Sequence, residues 1–335
     1  MARPISLARI SGSTAASPAP CKPMKKTAWL AFCFLGFIWG SNFIFVKWAA
    51  EYITPAQITL LRVVFGFLPV FLFALSRGEL RWSHARHVHH FAVMALVATA
   101  LYYFAFAKGT ALLPSSIAGM LSGAIPLFTF VCAFLFLREE RITATKAVGV
   151  ALGFLGVLLI AQPWSVGGDI EMAGVAWMIA GTFSVGCSFV YARKFVSPLK
   201  LPAAALTTYQ IGIAMLLLFM VIPVEGIGAV FADDRAWIGL VIGLGLCGTG
   251  LAYVAYYHIV ENLGALAASS VTYIPPVVAL VIGVVFVGEA IQLIGYLAMC
   301  LILAGVALLQ FGSRKVAPEV EPDAGVGLAP AGKAP

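Results

Sequence analysis

Arg62 is the one charge that hydropathy places well inside an apolar stretch, a run from about 55 to 76. A guanidinium at such a depth disfavours insertion by about 2.5–3.5 kcal/mol, so it must face a bundle interior or a wet cavity, or else snorkel to the near edge. Two chemistries fit it. Its forked donors suit a substrate carboxylate, and they equally suit helix-end carbonyls or polar groups on neighbouring segments. Ser41 and Asn42 follow Gly40 in the middle of another apolar run, with Trp39 just before. An amide there needs hydrogen-bond partners, found in a cavity or on an adjacent helix, and the indole either shapes a cavity or packs. Tyr102, Tyr103, Phe104 and Phe106 have aromatic counterparts in Tyr253, Tyr256 and Tyr257. Such residues ordinarily form interfacial belts, and Tyr103 and Tyr253 are the two best placed to reach inward.

Pro126 and Pro275 each remove a backbone donor deep in an apolar run, which frees a carbonyl one turn earlier and predicts a kink. Small or polar residues precede both: Gly119, Ser122 and Gly123 in one case, Ser269, Ser270 and Thr272 in the other. They suit a substrate-facing wall, and the Gly119–Gly123 spacing suits close helix packing equally well. Glu140 and Glu289 lie just before later runs, where a carboxylate caps a helix N-terminus or carries a proton. Six cysteines, none in a CxxC spacing, read as small buried hydrophobes. His84, His87, His89 and His90 lack Cys or carboxylate at fixed spacing and read as a solvated loop, so no metal and no cofactor are expected.

These residues must be positioned by membrane helices. With 61% hydrophobic and 10% charged residues and a mean hydropathy of +0.99, the chain has too little polar surface to coat a water-soluble globule of 335 residues. Apolar stretches of a length to cross a hydrocarbon core fall near 28–50, 55–76, 88–107, 112–137, 145–162, 171–193, 202–223, 236–257, 263–287 and 290–311. That predicts an all-α polytopic protein of ten spans. Seventeen Lys and Arg lie on the side of the termini and three on the other, which predicts cytoplasmic termini. The net charge of +7 then reports topology and anionic lipid headgroups, with no nucleic acid implied.

Two halves repeat. An offset of about 149 residues superposes Ile125-Pro126 on Ile274-Pro275, Glu140 on Glu289, and Gly156-Val157 on Gly305-Val306. A slightly shorter one superposes Gly40, Phe43 and Lys47 on Gly186, Phe189 and Arg193. Five spans is an odd number, so the second half enters the membrane inverted, an arrangement that places sites at the repeat interface near the midplane. The predicted organisation is a disordered tail over 1–26, repeats over 27–165 and 166–312, and a disordered tail over 313–335. Gly149, Gly153 and Gly156 form a stripe suited to packing inside the bundle or to a homodimer seam.

Trp39-Gly40-Ser41-Asn42-Phe43, then Lys47, Arg62, Pro126, Glu140-Arg141-Ile142 and Gly156-Val157, together resemble the EamA family of the drug/metabolite transporter superfamily. The second half resembles the pattern through Tyr256-Tyr257, Ile274-Pro275, Gly288-Glu289 and Gly305-Val306, but has Val185-Gly186-Cys187-Ser188 in place of the Trp-Gly-Ser-Asn stretch. The resemblance covers about 27–312. It implies export of a small organic metabolite, usually an amino acid or related compound, through a central cavity in the lipid bilayer. Efflux of hydrophobic cations is the rival within transport. A membrane enzyme is disfavoured by the lack of HExxH, GxSxG or an intramembrane aspartate pair, ATP-driven pumping by the lack of a P-loop, and a channel by the lack of charge rings.

Overall fold

The computed structural model describes residues 26–137, 143–164, 170–264, 268 and 270–311. Among them lie nine helices long and apolar enough to cross a membrane: α1 (Lys26–Ala49), α2 (Pro55–Ser76), α3 (Trp82–Leu112), α4 (Ser115–Phe136), α5 (Ala144–Ala161), α6 (Met172–Leu199), α7 (Ala203–Val221), α8 (Asp234–Leu263) and α10 (Leu293–Gln310). The tenth, α9 (Val271–Val287), is shorter. Expected spans near 88–107 and 263–287 thus become a longer α3 and a shorter α9. The cluster His84, His87, His89 and His90, read as a solvated loop, is helical: a 3₁₀ turn over Trp82–His87 opens α3 and buries His84, and α-helix continues through His89 and His90. The expected tails lie outside the described residues, apart from Lys26.

Local signals set the ends. Thr54 accepts a hydrogen bond from the Gln57 amide and the Gln57 side chain accepts one from the Thr54 amide, with Pro55 at the first helical position of α2. Thr143 and Asp233 cap α5 and α8 by accepting from the amides of Lys146 and Ala236. The outward faces carry large apolar side chains such as Leu30, Leu72, Leu155 and Phe286, as expected of helices whose solvent is lipid.

Pro126 and Pro275 act differently from the kink expected of a mid-helix proline. Each sits in the first turn of a new helical segment, Ile125–Phe136 in α4 and Ile274–Val281 in α9, where its missing N–H has no carbonyl to serve. The break in α4 falls just before, at Gly123 and Ala124.

Packing between the halves is reciprocal. α1 lies against α8 and α9 of the second half, and α6 lies against α3 and α4 of the first; α2 pairs with α7, α4 with α9 and α5 with α10. The last pair accounts for the glycine stripe. A Cβ at Gly149 would meet the Gly305 carbonyl at 2.7 Å, one at Gly156 would meet the Ala298 carbonyl at 2.6 Å, and Gly153 faces Leu127. The stripe is therefore occupied inside the bundle. Packing also revises the cysteines: Cys33 and Cys300 are exposed, while the sulfurs of Cys132 and Cys187 lie 3.5 Å apart between α4 and α6.

Candidate substrate site

Arg62 is 8% exposed and does not snorkel. Its Nε donates to the Thr249 hydroxyl at 2.9 Å, and its guanidinium carbon lies 3.8 Å from the centre of the Tyr103 ring. Thr249 in turn donates to the Leu244 carbonyl, five residues back, at 2.9 Å. That longer reach fits the π-helical turns of Ile238–Leu251 in α8, a local widening that recurs at functional places in helices. Arg62 therefore crosses the repeat boundary, from α2 to a residue 187 positions away. Among the described residues its two terminal nitrogens have no hydrogen-bond partner.

The second half holds an equivalent bond. Gln210 of α7 donates through Nε2 to the Thr99 hydroxyl at 2.8 Å, and Thr99 also lies in a π-helical stretch, Ala95–Ala100 of α3. Gln210 makes from α7 the bond that Arg62 makes from α2, and its threonine and the nearby tyrosine match at one shared offset, Thr99 with Thr249 and Tyr103 with Tyr253. The sequence reading missed both threonines. Their signal was present in the matched triplets Ala98-Thr99-Ala100 and Gly248-Thr249-Gly250, at nearly the offset that relates the prolines. Only one of the two sites carries a charge.

Tyr102, Tyr103, Phe106, Tyr253 and Tyr257 gather around these bonds, with Tyr102 and Phe106 at 4.6 Å and Tyr253 and Tyr257 at 6.3 Å between ring centres. Tyr257 donates to the Ala203 carbonyl at 3.1 Å and pairs with the Thr207 hydroxyl. Trp39 stacks on Tyr256 at 6.5 Å. Asn42 turns its Oδ1 onto Gly248, beside Thr249, and that oxygen is buried with no hydrogen-bond partner among the described residues. An orphaned acceptor of this kind costs about 1–3 kcal/mol. Gly248 is glycine because a Cβ there would run into the Asn42 amide.

Other expected wall residues lie elsewhere. Ser41 donates to the Phe37 carbonyl one turn back, at 2.9 Å. Gly119 packs on Ala279 and Phe43, and Ser122 donates to the Gly119 carbonyl at 2.6 Å. Pro275 is buried beside Gly40, and Thr272 is half-buried at the start of α9. Ser269 and Glu140 lie outside the described residues.

Glu289 is a cap, and the helix it caps belongs to the other half. Its Oε1 accepts from the Ser115 amide at 2.7 Å and the Ser115 hydroxyl at 2.8 Å. Its Oε2 accepts from the Ser116 amide at 2.9 Å and from the Ser116 hydroxyl. Burial pushes the carboxyl pKa up, but these four bonds outweigh it and hold it below the ordinary value. Among the described residues no group of three or more His, Cys, Asp or Glu could hold a metal, and His90 bonds to the Tyr191 hydroxyl at 2.8 Å.

The EamA-like transporter family matches residues 26–162 and again 172–311. The chain belongs to the EamA-like transporter family. Its two matches coincide with the two five-helix halves. This EamA-like chain is 25% identical to an uncharacterized transporter of Archaeoglobus fulgidus over 85% of its own length and 99% of the relative's. It is 24% identical to the inner membrane transporter YedA of Escherichia coli, over 83% of this chain and 89% of that one. A probable amino-acid metabolite efflux pump of Salmonella typhimurium is 23% identical over 83% of this chain and 92% of its own. A solved crystal structure with 22% identity superposes with a TM-score of 0.55, covering 87% of this chain and 98% of that one, and shares the fold. The family makes this multi-pass protein a transporter of small molecules and not an enzyme.

Proposed function

We propose that this transporter moves small organic metabolites bearing a carboxylate, amino acids or related compounds among them, out of the cell by alternating access of its two inverted repeats. Arg62 binds the carboxylate. The observation that carries this reading is the inequality of the paired bonds: α7 closes its contact to α3 with the neutral Gln210, so the fold needs only one N–H donor at this position. The charge of Arg62 is surplus to that need and is disfavoured in the membrane by about 2.5–3.5 kcal/mol. The unpartnered terminal nitrogens suit a carboxylate in a bidentate grip, and the Asn42 oxygen suits an N–H of the same substrate.

A hydrophobic cation is the weaker fit. At about 5 Å from Arg62 it would be repelled by about 3 kcal/mol at an effective dielectric of 20, and no Asp or Glu lies near the middle of a span to offset this. The name of the Salmonella relative supports efflux. The charge asymmetry supports an inner membrane location with cytoplasmic termini. The test is Arg62→Gln, which supplies the side chain that makes the paired bond in the other half. Normal insertion and thermal stability with efflux of carboxylates cut at least tenfold, in cells compared by their exported metabolites, is the expected result. Unchanged efflux refutes the anchor, and loss of the protein from the membrane favours a purely structural latch.

A further inference from the structure

The face opposite Lys26 carries a polar clamp on the hairpin between α3 and α4. Lys47, at the end of α1, donates through Nζ to the Ala111 carbonyl at 3.2 Å and the Leu113 carbonyl at 2.9 Å, among the unpaired carbonyls that end α3. Glu289 takes the amides and hydroxyls of Ser115 and Ser116 at the start of α4. The hairpin is thus held by a cation at its carbonyl end and a carboxylate at its amide end. The cation comes from the same half, and the carboxylate from the other.

The turn after α9 is shaped for this. Gly288 has φ 76°, a left-handed conformation that a side chain would strain, and it turns the chain so that Glu289 points back at α4. Gly283 leaves the room through which the carboxylate reaches, since a Cβ there would meet Glu289 Oε2 and, at 2.7 Å, Ser116. All four carboxylate contacts are made to the protein, so Glu289 holds nothing in reserve for a substrate.

Two features make the clamp reversible. The segment it holds, Ser115–Ser122, is a short helix joined to the rest of α4 at the break before Pro126, so it can tilt while Ile125–Phe136 stays packed on α6. Beside it, on the same face, a cavity of about 280 Å³ lies between Pro114, Ile117, the end of α5, and Ala290–Gln292. Hydrogen bonds at such a rim can be exchanged for water when the face opens.

We infer that Lys47 and Glu289 are gating residues: they hold the outer half of α4 closed on the face opposite the termini, and the transport cycle opens that face by releasing them. The inference rests on alternating access but on no particular substrate. The experiment uses the full chain in lipid nanodiscs, with native cysteines replaced and spin labels on Leu112→Cys and Gln292→Cys for this face. A second pair, on Trp82→Cys and Ser197→Cys, reports the face of the termini. Glu289→Gln or Lys47→Met is expected to enrich a longer separation of the first pair about tenfold over the parent, the equivalent of one charge-assisted hydrogen bond. An opposite shift in the second pair supports the gate within alternating access. A shift in the first pair alone supports the gate and sinks the rocking mechanism. Unchanged distances in both variants overturn the gate. Should either variant fail to insert, Ser116→Ala removes one hydroxyl donor and leaves the backbone, and an unchanged distance there is equally fatal.

Discussion

Thr249 does for Arg62 what no residue of the same half does: it receives Nε from across the repeat boundary and so aims the terminal nitrogens. Thr249→Val should keep the volume, free Nε, and weaken carboxylate transport about 5- to 30-fold through KM, if a hydrogen bond to a charged group is worth about 1.5–3 kcal/mol less what the substrate itself recovers. Thr249→Ser should restore it. Efflux kinetics on both variants check the pair, and equal loss in both would make the threonine methyl the relevant group.

Glu289 illustrates how environment decides a carboxylate's role. Held below the ordinary value in the closed form, it contributes stability that is present above the free-carboxylate pKa of about 4.3 and is lost as pH falls through the lowered one. The groups facing it are Ser115, Ser116 and Gly283, and none of them titrates. The difference in melting temperature between the parent and Glu289→Gln should therefore stay constant from pH 8 to 6 and shrink below about pH 4. A difference that changes between pH 8 and 6 would return Glu289 to the list of proton carriers.

At the scale of elements, small residues fix which helices touch. α5 and α10 approach through Gly149, Gly153, Gly156 and Gly305, and a Cβ at Gly305 would collide with the Gly149 carbonyl and approach Gly153 N at 2.7 Å. Gly305→Val should lower stability by about 1–3 kcal/mol, the range for overpacking, read as a fall in melting temperature in detergent. A homodimer seam would respond differently, with a smaller assembly and an unchanged monomer. The π-helical stretches of α3 and α8 belong to this scale too, since they place Thr99 and Thr249 one extra residue along the helix from the carbonyls an α-helix would offer.

For the molecule as a whole, the charges that could couple transport to a proton gradient are few. Glu289 is saturated by Ser115 and Ser116, His258 sits at the end of α8 against Thr27 at 3.4 Å, and Glu140, outside the described residues, lies at a span edge in the sequence. Transport should therefore be facilitated and not concentrative. In liposomes with the membrane potential clamped, a carboxylate whose ionisation is insensitive to the imposed pH gradient should equilibrate without accumulating. Accumulation that collapses with a protonophore would show coupling.

Hydropathy, the proline offset and the Trp39 to Phe43 stretch determined the class of molecule, its spans and its family, because lipid solvation and helix length act on local composition. The same local reading marked Arg62 and Glu289 as residues to explain. What each does was decided by partners far along the chain: Thr249 for Arg62, Ser115 and Ser116 for Glu289, and Gly305 for Gly149. The inequality of Arg62 and Gln210 was visible in the sequence, but its meaning was not, because a charge becomes surplus only once the neutral residue is seen making the same bond. Hydrogen bonds and close packing are pairwise and short-ranged, and in an inverted repeat the pairs form across the two halves, so only the folded chain could name them.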